Sequence, residues 1–331
     1  MKNKIDTKKL NMGELYTRYG TFMLLVVIFL ACAVMVPGFF GQQNLTNILR
    51  QIAVVVILGF GVQFVIILGH INVALGSEIA LIGCISAMVM LALENSLGAG
   101  GALVLAIVIS ILVGIVIGGI NGFVITRFNI PAFIMTLGVT EAARGIALII
   151  TGGKPVSGMA ELYKFLGQGY ILRYIPVSVV IMFLVFLVCW TLLNKCKFGR
   201  HLFATGGNTH AAEASGIKTN NIVRKAFIID GICAAIAGIL FMSRMGTGQP
   251  SSGLTYEFKA ITAVVVGGTS LAGGSGTVVG TLIGAIIVGI IENAQNLLGV
   301  NAYWQQVVRG LIILFAVIID VVTKRAALKA K

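Results

Sequence analysis

The sequence predicts an all-α protein that crosses a membrane through about ten helices, some of them broken or re-entrant. Of its 331 residues, 58% are hydrophobic and only 11% are charged, whereas a soluble domain carries about a quarter charged residues. Apolar runs recur along the chain, most of them near the roughly 20 residues that a membrane crossing needs. The 42 glycines suit a bilayer, where glycine lets helix backbones pack closely and interrupts helices inside the protein.

Apolar runs between polar breaks define the candidate spans. They lie at about 20–36, 51–68, 73–92, 101–120, 131–150, 176–193, 226–243, 259–272, 276–292 and 305–322. The eighth and ninth are short and are separated only by "GGSG", which predicts either a re-entrant segment or a broken helix there.

The distribution of lysine and arginine predicts the orientation. Basic residues concentrate in the tail 1–19, in the connection 194–225 and in the tail 323–331, and ten crossings place all three on one side of the transmembrane region 20–322. Because basic loops stay on the cytoplasmic side, we expect both termini to be cytoplasmic. The net charge of +13 then favours an anionic inner leaflet, and no aromatic pattern for RNA binding accompanies it.

The long basic connection contains "THAAEASG" at 209–216, which predicts a short helix. Thr209 is the expected N-cap, and Gly216 supplies the left-handed residue that ends a helix. A helix this short is marginal alone in water, so it needs a surface to lie against. It is either a docking helix for a cytoplasmic partner or a solvated connector that rests on its own membrane domain.

An alanine pair followed three residues later by glycine, inside the longest cytoplasmic loop, resembles the coupling loop of ATP-binding cassette (ABC) importer permeases. Longer blocks resemble the ribose-type sugar permeases of that superfamily: 129–157, "FGRHLFATGGN" at 198–208, 256–291 and 296–317. The resemblance covers nearly the whole chain from about residue 20. It implies a type II ABC importer-like fold in a bacterial plasma (inner) membrane.

The same resemblance implies partners and a coupling site. The partners are a second permease copy, in a homodimer or heterodimer, a cytoplasmic ATPase subunit and an extracytoplasmic sugar-binding protein. The coupling role falls on Thr209, His210, Ala211, Ala212, Glu213 and Gly216. The family usually has Glu where this chain has Thr209-His210, and Glu213 is the carboxylate that stands one turn later.

The chain shows no chemistry of its own that would supply energy. "GTSLAGGS" at 268–275 has the spacing of a phosphate-binding loop, but Gly274 stands where the lysine belongs, and without that cation nothing reaches the β- and γ-phosphates. The five cysteines and three histidines have no metal-ligand spacing. We therefore expect no cofactor, no metal and no catalytic activity.

A second helix break is predicted at "LGHINVALGSE", residues 68–78, which resembles the family's "GGIDLSVGS" with His70 for Gly, Asn72 for Asp and Ala74 for Ser. Residues 69–77 and 267–275 share four of nine positions, which reflects either an internal duplication or a glycine-rich coincidence. A pathway for an uncharged sugar should use neutral polar groups. The candidates are Asn72, Asn121, Thr269, Ser270 and Asn293. The alternative is that these side chains only bond neighbouring helices.

Charged residues near the spans give further expectations. Glu141 and Arg144 are three apart on one helix and can pair, Asp230 is expected at an interface, and Arg309 either reaches outward or meets the polar patch at Glu292. Basic residues of the outer loops either dock the binding protein or hold the chain at the headgroups; they are Arg50, Lys154, Arg173 and Arg244.

The sequence thus predicts a permease subunit for a monosaccharide. A nucleoside-type permease of the same superfamily is the nearest alternative, and a stand-alone secondary transporter or channel is the next. An integral membrane enzyme would need a cluster of catalytic groups at one depth, which the sequence does not contain.

Overall fold

The structure, a computed structural model, describes residues 12–171 and 174–329. In this part of the chain it consists of helices and one short β-hairpin. The helices are α1 (Met12–Met35), α2 (Gln42–Ile67), α3 (Leu75–Phe128), α4 (Ala132–Thr151), α5 (Glu161–Gln168), α6 (Val177–Asn194), α7 (Lys197–Gly207), α8 (Thr209–Ala214), α9 (Thr219–Met245), α10 (Tyr256–Val266), α11 (Val278–Leu297) and α12 (Ala302–Lys329). The hairpin pairs β1 (Tyr170–Ile171) with β2 (Ile175–Pro176) in antiparallel fashion.

Six helices of the described residues are long and apolar enough to cross a membrane, namely α2, α3, α4, α6, α9 and α11. Helix α3 has 54 residues and is interrupted at Gly98, whose φ of 70° is not helical. It contains the predicted span at 101–120 and, apart from its first two residues, the one at 73–92. Shorter apolar stretches lie at Gly20–Met35 and Ala302–Ile318. The all-α membrane architecture is confirmed, and the count of ten crossings stays a prediction.

Central and peripheral helices differ in burial. In α2 and α9 the apolar stretch is 89% and 78% buried, whereas in α4 it is only 17% buried. Large apolar side chains such as Phe133 and Ile149 therefore stay exposed on the periphery. These faces suit lipid or a second protein, because a water-soluble protein rarely exposes so much continuous apolar surface.

Small residues bring α3 against α9 at the centre of the bundle. A β-carbon at Gly114 would overlap the carbonyl oxygen of Gly231, and a β-carbon at Gly231 would overlap that of Gly114. Gly118 meets the backbone of Phe227 in the same way. This close approach is the packing that glycine permits between membrane helices.

Helix α10 shows why the eighth predicted span is short. Its eleven residues, Tyr256–Val266, rise only about 16 Å at 1.5 Å per residue, about half of the hydrocarbon thickness. A non-helical segment, 267–277, follows before α11 begins. The structure therefore agrees with the broken helix expected here. The break predicted within 68–78 is also present, at 68–74 between α2 and α3.

Arg144 does not pair with Glu141 as the sequence suggested. Its guanidinium donates hydrogen bonds of 2.6 Å to the carbonyl oxygens of Pro250 and Ser252, and no ion pair joins it to Glu141 within the described residues. The arginine instead satisfies backbone carbonyls of the turn before α10, groups that the sequence spacing on α4 does not reveal.

The bundle has two ends of different construction. The α7–α8 end comprises α7, α8, the first turn of α9 and the two helix breaks. The α5 end comprises α5, the hairpin, the first turns of α2 and α10 and the last turns of α11. At this second end Tyr163 of α5 is fully buried, and the backbone N–H of Gly167 donates to Ser243 Oγ of α9 at 2.7 Å.

Candidate coupling helix and helix breaks

The predicted helix in the basic connection exists as α8, and its two ends are well defined. Asn208 is the N-cap, because its side-chain oxygen accepts from the backbone N–H of Ala211 at 3.0 Å. The prediction of Thr209 as N-cap was wrong: its hydroxyl donates to the carbonyl of Thr205 at 3.0 Å. Asparagine is among the preferred N-cap residues, and it precedes the position that the sequence pattern suggested.

Gly216 ends the helix as predicted. Its φ of 80° is left-handed, its N–H donates to the carbonyl of Glu213 at 2.8 Å, and the N–H of Ile217 donates to the carbonyl of Ala212 at 3.1 Å. These two bonds form a Schellman motif, which satisfies the last carbonyls of the helix.

Helix α8 packs against the rest of the protein through one buried side chain, and its other side chains are exposed. Ala212 is buried, whereas Thr209, His210, Ala211, Glu213 and Gly216 are exposed. Glu213 Oε1 accepts a 2.7 Å hydrogen bond from Thr219 Oγ1, which ties α8 to α9. An exposed helix fixed at its base can receive a partner, and the coupling role of these residues stays a prediction.

The end of α7 lies directly on both helix breaks. A β-carbon at Gly206 would overlap the carbonyl oxygen of Ile67, and one at Gly273 would lie 2.7 Å from the carbonyl oxygen of Gly206. The N–H of Gly274 donates to the carbonyl of Ile67 at 2.8 Å. We call Gly206, Gly207, Gly273 and Gly274, together with the carbonyl of Ile67, the glycine junction. Backbone therefore meets backbone between the end of α7, the end of α2 and the second break.

The two breaks begin with the same turn. At Gly69 and at Gly268 the backbone is left-handed, with φ of 76° and 87°, and each N–H donates 2.9 Å to the carbonyl three residues earlier. The next residues, His70 and Thr269, each donate 3.1 Å to the carbonyl five residues earlier. Both α2 and α10 therefore end in Schellman motifs.

This equivalence has a different register from the sequence match. The shared four of nine positions place Gly69 opposite Gly267, whereas the two turns place Gly69 opposite Gly268. The matched residues therefore do not occupy equivalent places, and these four identities give no support to a duplication.

The five neutral residues predicted for the pathway are all buried inside the chain, in three separate places. Asn72 and Asn121 lie together near the first break. Thr269 and Ser270 lie in the second break, where Gln63 donates to Thr269 Oγ1 at 3.4 Å. Asn293 lies at the α5 end, bonded to Asn44. The structure does not gather them into one site, and their role in transport stays a prediction.

Asn72 and Asn121 belong to a polar cluster that includes two buried carboxyl groups. Asn72 Nδ2 lies 2.8 Å from Asp230 Oδ2 and 3.5 Å from Glu78 Oε1, and Asn121 Nδ2 lies 3.5 Å from the same Glu78 oxygen. Glu78 and Asp230 are at most 1% exposed. No ion pair reaches either of them within the described part of the chain.

The placement of Asp230 corrects an expectation. The sequence placed it at an interface because the apolar run begins at 226, but α9 begins at Thr219, so Asp230 lies three turns inside the helix. The polar residues 219–225 hid this start, since they look like loop. The sequence signal that could have indicated the buried position of Asp230 is Asn72, because an amide within an apolar region needs a hydrogen-bond partner.

The α5 end is held by ion pairs. Glu292 accepts hydrogen bonds from Gln51 at 3.0 Å, Lys259 at 2.9 Å and Arg309 at 3.0 Å. Arg309 also donates to Thr255 Oγ1 at 2.8 Å. Of the two possibilities left open for Arg309, the structure selects the polar patch, and one carboxylate thereby connects α2, α10, α11 and α12.

The basic residues predicted to dock a binding protein differ in availability. Lys154 is exposed, and Arg244 is half-buried. Arg50 donates to the carbonyl of Gln168, and its guanidinium lies 4.5 Å from the centre of the Tyr170 ring. Arg173 lies outside the described residues.

Comparison with known proteins identifies the family. The profile described as branched-chain amino acid transport system / permease component matches residues 44–317. The ribose import permease proteins of Haemophilus influenzae and Bacillus subtilis are each 40% identical, over 97% of both chains in the first case, and over 95% of this chain and 96% of the relative in the second. The D-allose transport system permease protein of Escherichia coli is 35% identical over 95% of each chain.

No solved structure matches the chain. The relatives are permeases and are matched along nearly their full length, so the comparison includes α8 and both helix breaks. The chain therefore belongs to the branched-chain amino acid transport system permease family, as an ABC permease of the ribose type.

Proposed function

We propose that this chain is the membrane subunit of an ABC importer for a neutral monosaccharide such as ribose. The observation that carries the proposal is the 40% identity to ribose import permeases over 97% of the chain. A soluble binding protein delivers the sugar from outside, and a separate ATPase supplies the energy. Two permease copies form the pathway between them, in line with the unpaired apolar faces of the peripheral helices.

The proposed topology has ten crossings in a bacterial inner membrane, with both termini in the cytoplasm. The distribution of basic residues supports it, with a tail at 1–19, the permease region at 20–322 and a tail at 323–331. In this topology the α7–α8 end faces the cytoplasm and the α5 end faces outward. The connection 194–225 then meets the ATPase, and the exposed Lys154 is available to acidic groups of a binding protein.

The proposed mechanism runs from α8 to the helix breaks. Closure of the ATPase moves the exposed residues of α8 together with α7, and the glycine junction passes this displacement to the end of α2 and to the segment that follows α10. These two parts move together, because the N–H of Gly274 is bonded to the carbonyl of Ile67. In transporters, interrupted helices commonly form the moving parts at the substrate path, and this is the role proposed for the segments 68–74 and 267–277.

The test is uptake by the reconstituted complex. Liposomes that contain the permease and its ATPase, with binding protein on the outer face of the permease, should accumulate D-ribose or D-allose only when ATP is present. Uptake by the permease alone would show a secondary transporter, and uptake of a nucleoside instead of either sugar would show the related nucleoside type.

A paired variant tests the coupling helix itself. Gly216→Asp with Glu213→Arg changes the left-handed end of α8 and reverses its charge, so the ATPase should no longer co-purify while the permease still inserts. Asn221→Asp, which adds a charge on the exposed surface of α9 outside α8, is the control and should retain the ATPase. Normal co-purification with the paired variant would contradict the coupling assignment.

A further inference from the structure

A cavity of about 500 Å³ opens between α8 and the first helix break. Its walls come from four places: the first break, the end of α3 with the turn that follows it, the region of α7 and α8, and the first turns of α9. The lining residues are Leu68, His70, Ile125, Thr126, Asn129, Ile130, Pro131, Thr205, Thr209, His210, Glu213, Thr219, Asn220 and Val223. Its volume lies within the range of small-molecule sites. None of the five residues predicted for the pathway lines it.

The polar groups around this cavity are suited to a ligand with hydroxyl groups. His70, Asn129, His210 and Asn220 supply rings and amides that both donate and accept hydrogen bonds. Thr205 is 3% exposed, and its hydroxyl has no hydrogen-bond partner in the described residues. Since buried hydroxyls are normally hydrogen-bonded, the Thr205 hydroxyl is available to bond a polar ligand.

The charges of the lining exclude an anion. No lysine or arginine lines the cavity, and Glu213 is its acidic residue. Phosphate recognition relies on arginine, lysine or a set of backbone N–H groups, so a phosphorylated sugar would meet a carboxylate and no cation. Apolar walls at Ile125, Ile130 and Val223 suit the carbon faces of a small sugar ring.

We propose that this cavity binds a free, neutral monosaccharide from the α7–α8 side and that the bound sugar slows the transport cycle. This inference rests on the proposed function, because it takes the ligand to be the imported sugar that has accumulated inside the cell. A ligand that contacts both α8 and the end of α3, which lies outside the glycine junction, stabilises the arrangement in which these two face each other. The ATPase must move α8 relative to the membrane region, so the sugar opposes that step.

The experiment varies the sugar on the ATPase side while the sugar on the binding-protein side is kept constant. Liposomes carrying the permease–ATPase complex enclose the binding protein and D-ribose or D-allose, whichever the complex imports, and ATP is added outside, so that only molecules with their ATPase facing outward hydrolyse it. The same sugar, added outside at millimolar concentration, should lower the rate of ATP hydrolysis by about threefold or more, as occupancy of the cavity rises. The sugar phosphate at the same concentration should leave the rate unchanged.

Two neighbouring asparagines provide a matched pair of variants. Asn220 lines the cavity and Asn221 does not, although both are exposed in the first turn of α9. Asn220→Trp should fill the cavity and remove the inhibition while uptake continues, and Asn221→Trp should remain as inhibited as the unchanged protein. Should Asn220→Trp fail to assemble, Asn129→Gly serves instead, because glycine accepts the left-handed φ of 53° at that position while the amide is lost.

The outcomes separate this inference from the proposed function. Import without inhibition by sugar on the ATPase side would overturn the cavity assignment and leave the importer assignment standing. Equal inhibition of both tryptophan variants would also overturn it, since the sugar would then act at the transport path. Absence of ATP-dependent import of any sugar by the unchanged complex would instead count against the proposed function.

Discussion

The α5 end and the α7–α8 end of the bundle are held by different kinds of contact. All three ion pairs of the described residues lie at the α5 end, where Glu292 joins Lys259 and Arg309. At the α7–α8 end, the glycine junction brings backbone against backbone, and a cavity opens beside it. Buried ion pairs lose much free energy when one partner is displaced, whereas glycine contacts can shift without leaving a charge unpaired. From this difference we infer that the α5 end is the fixed end and the α7–α8 end the movable one.

The largest effect is expected at the glycine junction. Gly206→Ala places a β-carbon into the carbonyl of Ile67, while Gly207→Ala places one in open space. The first variant should therefore lose sugar uptake by about tenfold or more, in keeping with the cost of overpacking, and the second should retain it. Uptake by the reconstituted complex, with ATPase co-purification as the assembly control, measures both. Equal uptake by the two variants would contradict the proposal that the junction transmits the displacement of α7 to the helix breaks.

The fixed end is tested by removing its carboxylate. Glu292→Ala leaves Lys259 and Arg309 buried without a counter-charge, with exposed side-chain fractions of 11% and 15%, which should lower the free energy of unfolding by about 3 kcal/mol. Thermal unfolding in detergent measures the loss. The control is Glu161→Ala, whose carboxylate is 90% exposed in its pair with Lys164 and should change stability little.

A smaller effect is expected at the buried carboxyl cluster. Asn72→Asp replaces the amide that donates to Asp230 with an acceptor, so the cluster would hold three carboxyl groups and one donor fewer. The melting temperature should fall by several degrees, as for the loss of about 1 to 3 kcal/mol when a buried hydrogen bond is broken. Asn72→Asp combined with Asp230→Asn restores an amide facing a carboxyl group and should recover most of the loss. A double variant that recovers no stability would contradict the energetic coupling between Asn72 and Asp230.

The sequence predicts features that depend on local chemistry. Gly216 ends α8 because a left-handed residue is needed there, and "GGSG" marks the break after α10 because glycine interrupts a helix wherever the fold places it. Asp230 was missed because its burial depends on where α9 begins and on Asn72, which is 158 residues away. The glycine junction was missed for the same reason: the sequence marks each glycine as permissive but does not show which backbones meet. The sequence also does not reveal the cavity, which requires four separate segments to enclose one volume.

The smallest effect distinguishes two neighbouring residues at the start of α8. Asn208→Ala removes the side chain that accepts from the N–H of Ala211, and loss of an N-cap costs about 1 kcal/mol. Because α8 has only six residues, that cost should appear as roughly fivefold weaker binding of the ATPase, measured by titration of the purified subunits. Thr209→Ala leaves the cap intact and removes only a bond to the preceding turn, so it should bind more tightly than Asn208→Ala. The opposite ranking would restore Thr209 as the cap and would mean that the movable end begins one residue later than the hydrogen bonds indicate.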